Sequence, residues 1–209
     1  GRHFGAEEEL AVMDVPKIAI TSAHAEIASK AWHAYCAPTP RAWADLLQED
    51  LSGLPHLRNA VLRLLAELPA PGSGLGSTEM ALLEFINSSG QARLSMIIDT
   101  LVYFDDFNRL TIFDEWEVSR LLEPLTFGPA PAVAEVNPEL HTLAPGNFRR
   151  RDEIHKESRP VLTGFGQAIL TGRADFSRHN PIHRWWGGTE LTNENLWRWD
   201  PQRERLSEP

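Results

Sequence analysis

The segment Pro69-Ala70-Pro71-Gly72-Ser73-Gly74-Leu75-Gly76 constrains the chain most, because proline and glycine at that density stop helix and strand alike. Whatever lies on either side must form its own elements. The segment therefore sets a boundary near residue 72, with an N-terminal unit over 1–71 and a second unit over 72–209. Its glycines alternate as in a phosphate-binding loop. No apolar strand precedes them and no Gly-Lys-Ser/Thr follows, which excludes a P-loop or dinucleotide fingerprint.

Before the boundary the apolar residues recur at helical spacing. Thr21-Ser22 caps a helix running to about Tyr35, with Ile20, His24, Ile27, Ala28, Ala31 and Tyr35 along one face. Pro38-Thr39-Pro40 ends it and starts the next, whose buried stripe is Trp43, Leu46, Leu47 and Leu51. A third helix after Pro55 carries Leu57, Val61, Leu64, Leu65 and Leu68. These three form the N-terminal helical unit.

After the boundary, Ser77-Thr78-Glu79 opens a helix with Met80, Leu83 and Ile86, stopped by Asn87-Ser88-Ser89-Gly90. A second runs from about Ala92 to Phe104 on Leu94, Ile97, Ile98 and Leu101. A third runs from about Asp114 to Glu123 with Trp116, Val118, Leu121 and Leu122, ended by Pro124. The proline-rich stretch from Phe127 to Pro145 predicts strands near Val133–Val136 and Leu140–Leu143. Then Leu162-Thr163-Gly164-Phe165-Gly166 reads as a strand end capped by Thr163 and leading into a short helix. Three helices, a hairpin, a short helix and a strand is the order of a winged-helix domain. The predicted fold class is mainly α with a small β component: an N-terminal helical unit followed by a winged-helix-like domain with C-terminal Trp-rich strands packed on its helices.

Several stretches resemble an uncharacterised bacterial family, the DUF1835-type proteins. They are Ala31-Trp32-His33-Ala34-Tyr35 with Ala37-Pro38-Thr39-Pro40-Arg41-Ala42, Gly74-Leu75-Gly76-Ser77-Thr78-Glu79, and the run from Leu162 through Gly172-Arg173-Ala174-Asp175. The ending Arg184-Trp185-Trp186-Gly187-Gly188-Thr189-Glu190-Leu191 with Leu196-Trp197-Arg198-Trp199-Asp200 completes the likeness. The resemblance implies that the chain is a C-terminal portion, winged-helix-like, preceded by an α/β region, and it carries over no catalytic residue. A start at Gly1-Arg2-His3-Phe4, without an initiator methionine, agrees with that expectation.

Charge narrows the function. The net charge is −9, yet residues 148–187 carry eight Lys/Arg against four Asp/Glu, while residues 1–147 carry nine against twenty. Nucleic acid needs a concentrated basic face, so the middle block holds the only candidate: Arg149, Arg150 and Arg151 with Lys156 and Arg159, placed near the wing. Asp152, Glu153 and Glu157 interleave with them, which predicts a self-paired, solvated surface. The third helix of a DNA-reading domain should enter the major groove. Here it carries Asp114, Glu115, Glu117 and Glu123 against Arg120, with Asp105 and Asp106 upstream, the wrong sign for phosphate.

The remaining motifs read as structure. Trp185, Trp186, Trp197 and Trp199 at strand alternation suit a core or an interface better than stacking on bases or sugars. Trp185, Trp197 and Trp199 are predicted to be mostly buried, with His183 and Arg184 lying against tryptophan faces. His179 and His183 have a metal-pair spacing, but Pro181 breaks the helix that would align them, and Cys36, the single cysteine, has no partner. No metal, no cofactor and no membrane contact is expected. No signal peptide or disulfide is expected either, which predicts a cytoplasmic address. No Gly-x-Ser-x-Gly or His-Glu-x-x-His motif anchors catalysis. The leading functional expectation is a non-enzymatic protein-interaction or oligomerisation module acting through its acidic helices. The alternatives are a nucleic-acid-binding regulator using the basic wing, and an accessory C-terminal part of an enzyme whose catalytic domain lies upstream.

Overall fold

In the computed structural model, residues 19–103, 111–144 and 146–209 are described. The expectations at Gly1-Arg2-His3-Phe4, at Phe104, at Asp105-Asp106 and at Pro145 lie outside them. The chain is mainly α with a small β component.

Helix α1 (Ser22–Cys36) starts where Thr21 Oγ1 accepts from the His24 amide. Two shorter helices follow, α2 (Arg41–Leu46) and α3 (Leu57–Ala66). The Pro/Gly segment comes next, as a stitched turn. Ala70 N donates to Leu75 O, Gly74 N to Ala70 O and Phe176 N to Ser73 O. Leu75 is buried, and Gly74 (φ 70°) has no room for a Cβ, which would stand 2.1 Å from Asp175 Oδ1.

The second set opens with α4 (Ser77–Ser88), where the Gly76 amide donates to Glu79 Oε2, then α5 (Leu94–Tyr103) and α6 (Glu115–Phe127), capped by Asp114. Pro124 does not end α6, as its place in the sequence suggests. One lost amide costs less than burying Leu122 and Leu125 gains, so the helix runs on to Phe127.

The expected hairpin is replaced by something else. Strand β1 (Val133–Ala134) pairs antiparallel with β2 (Val161–Leu162), and their connection contains α7 (Glu139–Thr142) and α8 (Phe148–Glu157). Residues 139–142 are helical where a strand was expected. Asn137 Oδ1 accepts from the Glu139 amide, and Leu140 alone is buried, so no alternating face exists for a strand to pack. Helix α9 (Gly164–Leu170) then starts on Thr163, which accepts from the Gly166 amide as its sequence predicts.

Two hairpins close the chain: β3 (His183–Trp186) with β4 (Thr189–Thr192) around Gly187-Gly188, and β5 (Arg198–Asp200) with β6 (Arg205–Ser207). Among the described residues there are two hydrophobic cores. One gathers α4 to α9 with Leu75 and Phe176. The other joins Ala34, Trp43, Leu46, Leu65 and Leu68 to Trp186, Leu191, Trp197 and Trp199. The tryptophan strands thus pack on the first helical unit, not on the helices beside which the sequence order places them.

Candidate functional site

The arginine cluster lies on α8, a helix, rather than on a wing, and its charges are turned inward or paired. Arg150 forks onto Glu139 (2.6 and 2.9 Å) and also meets Glu153, and those bonds hold its guanidinium pKa above the ordinary value. Arg151 is buried. It ion-pairs with Glu123 at 3.0 Å and lies 4.5 Å over the Trp116 ring, a desolvated cation–π contact. Lys156 holds Asp152 at 2.6 Å, and Arg159 has one buried nitrogen without a hydrogen-bond partner among the described residues. Arg149 faces solvent with Glu153 3.4 Å away. Asp152 and Glu153 pair within the run, but Arg150 and Arg151 also take Glu139 and Glu123 from outside it, and Arg151 is buried, not solvated as the interleaved charges predict.

Under this helix sits a small polar network that the sequence does not advertise. Arg151 Nη1 donates to Ser119 Oγ at 3.3 Å, and the same hydroxyl shares a hydrogen bond with His155 Nε2 at 3.0 Å. Ser119 is fully buried in mid-helix, which removes it as a nucleophile and makes the pair structural. Burial and then the Arg151 charge push the His155 pKa from 6.5 down to about 4, against the weaker opposing pull of Asp152 and Glu115. The folded protein therefore keeps His155 neutral while the unfolded chain takes up a proton below pH 6.5. Stability from this group is present above about pH 6.5 and falls as pH drops towards 4, by about 3 kcal/mol. Urea denaturation at pH 7 and pH 4.5 should show that loss shrinking in His155→Gln; equal losses in both proteins would assign it elsewhere.

At the C-terminal end the tryptophans separate. Trp186, Trp197 and Trp199 are buried, with Trp186 Nε1 donating to Leu64 O. Trp185 is 66% exposed, which corrects the expectation that it is buried. Strand alternation allows one side of β3 to face the core, and Trp186 takes it. Arg184 lies on no tryptophan face. It reaches across to Glu79 (3.0 Å) and to the Glu67 carbonyl, while Arg41 stands over Trp197. His183 bonds Glu190 and His179 lies edge-on to Phe165, so the two histidines serve different partners. Among the described residues no group of three or more His, Cys, Asp or Glu is placed to hold a metal ion.

Compared with family models, curated proteins and solved structures, the chain finds no match. Among the described residues no helix is long and apolar enough to cross a membrane.

One surface combines features that single-segment reading keeps apart. Along α5, Met96, Asp99 and Tyr103 share a face at spacings of three and four; along α8, Phe148, Asp152 and Lys156 share one at spacings of four. The start of α6 lies beside both: the Tyr103 hydroxyl donates to Glu115 at 2.5 Å, and Trp116 meets Phe148 edge-on at 5.5 Å. Desolvation, then the charges of Glu115 and Asp152, raise the Asp99 pKa. The result is an acidic patch with large apolar side chains standing out of it. The acidity of α6 is legible in the sequence, whereas Met96, Tyr103 and Phe148 belong to separate segments that only the fold brings beside it.

Proposed function

We propose that the chain is a protein-interaction module that docks a basic amphipathic segment of a partner protein on the face built from α5, the start of α6 and α8. The observation that carries this reading is the joint exposure of Met96 (59%), Tyr103 (56%) and Phe148 (66%) around Asp99, Glu115 and Asp152. Exposed apolar side chains grouped in this way mark interaction surfaces, and the surrounding carboxylates select a cationic partner. A second copy of the chain would bring like charges together, so the partner is a different protein. The nucleic-acid reading loses support because Arg150 and Arg151 are already held by Glu139, Glu153 and Glu123. No observation favours an accessory role beside a catalytic domain.

The test is a titration with a helical Leu/Lys peptide, followed by NMR shifts of the Trp116 indole. Saturable shifts are expected, with affinity falling roughly tenfold in Phe148→Ser or Tyr103→Ser and falling again in Asp99→Lys. Equal binding of a Lys peptide without leucines, or indifference to Phe148→Ser, would reduce the face to general charge attraction and overturn the proposal.

A further inference from the structure

We propose that a groove at the C-terminal end of α6 binds a small organic cation with an apolar body, a site separate from the docking face. The groove has a volume of about 310 Å³ and is lined by the last turn of α6, the Gly128-Pro129 exit, His141 of α7 and the Asn180-Pro181 corner. That volume suits a compact ligand rather than a chain segment.

Its shape is held by covalent stiffness and by one side chain. Asn180 Oδ1 accepts from the Ala130 amide, and its Nδ2 donates to the carbonyls of Ala130 and Phe176, so one carboxamide ties three backbone groups. Gly128 is required here: a Cβ would stand 2.5 Å from Asn180 Oδ1 and 2.8 Å from Pro124 O. Pro124, Pro129 and Pro181 stiffen the walls.

The same residues set the ligand chemistry. Three prolines bring no N–H, and the Asn180 amide hydrogens are already committed, so apart from the His141 ring and the Gly128 amide the polar groups of the lining are acceptors. Glu123 gives Oε1 to Arg151, and its Oε2 has no hydrogen-bond partner among the described residues. Helix α6 runs out through an extended Gly128 (φ −72°, ψ 170°) instead of a left-handed cap, which places its partially negative end at the groove. Phe127 and His141, with ring centroids 5.3 Å apart, add aromatic surface that attracts a cation. A proline-walled, aromatic groove with a carboxylate and a helix C-terminus beside it favours an amine or quaternary ammonium over a neutral or anionic molecule of the same size.

The probes are benzylammonium, benzyl alcohol and phenylacetate, followed through the backbone amides of Gly128 and Asn180. Benzylammonium should bind at least roughly tenfold tighter than benzyl alcohol, and phenylacetate should not bind. His141→Ala, at an exposed position outside both cores, should weaken the cation severalfold with an unchanged melting curve. Glu123→Gln should remove the preference for charge. Equal affinity for the alcohol and the ammonium would overturn the proposal, as would the absence of shifts up to roughly 10 mM. A groove that answers only to the Leu/Lys peptide would overturn it too, transferring these residues to the docking face, whose own test reads Trp116.

Discussion

Replacing Trp199 with alanine should lower the free energy of unfolding by about 3–5 kcal/mol, the cost of emptying a large aromatic site whose walls cannot collapse. Trp199 sits in the core shared by helices and strands, and its amide also donates to Pro69 O, which fixes β5 against the Pro/Gly turn. For a protein of this size the melting temperature should fall by about 10 °C or more. Trp185→Ala is the control. That ring is largely in solvent, and its loss should stay within about 0.5 kcal/mol. Urea denaturation of the two variants side by side decides the matter; similar losses would mean that Trp185 is covered as well.

Arg184→Ala should be nearly as damaging, for an electrostatic reason. Its guanidinium is the ion-pair partner of Glu79, a buried carboxylate that also caps α4 through the Gly76 amide. Removing the cation leaves a charge out of water without compensation and should cost about 2–4 kcal/mol. Glu67 stands close by, its carboxylate accepting from Ser77 and Thr78 at the same helix start, with burial holding its pKa above the ordinary value. Arg184 also donates to the Glu67 backbone carbonyl, so its removal breaks that bond as well. The double variant Arg184→Ala/Glu79→Gln should recover much of the stability, giving a coupling energy of about 1–3 kcal/mol in a double-mutant cycle. Strict additivity would show that Arg184 acts by packing alone.

Local chemistry was legible in the sequence, and long-range partnership was not. Thr21, Asp114 and Thr163 cap the helices that their positions announce, because a cap is decided within four residues. The stripes of α3 and α5 bury Val61, Leu65, Leu94, Ile97 and Leu101 as their periodicity requires. Glu79 and Arg184 are separated by more than a hundred residues, and nothing in either neighbourhood names the other. Residues 139–142 show the opposite failure. A short mixed run between prolines, with Leu140 and Leu143 as its large apolar residues, suits either a strand or one helical turn, and only Asn137, bonding to the Glu139 amide, settles it. For Trp185 and Trp186, period two says that one points inward without saying which, and the choice belongs to the core that receives it.

The sharing of one core between the earliest helices and the latest strands also has a consequence for the order in which the protein matures. During synthesis α1 to α3 leave the ribosome with Trp43, Leu65 and Leu68 still lacking the surfaces that cover them, because Trp186, Leu191, Trp197 and Trp199 are the last of that core's buried residues to be translated. The cluster spanning Leu75 to Phe176 has all of its buried residues before then. Domains usually finish from the N-terminus onwards. Here the middle of the chain completes first and the beginning waits for the end, so a nascent chain stalled before residue 186 would expose apolar helices to chaperones while its central unit is already folded.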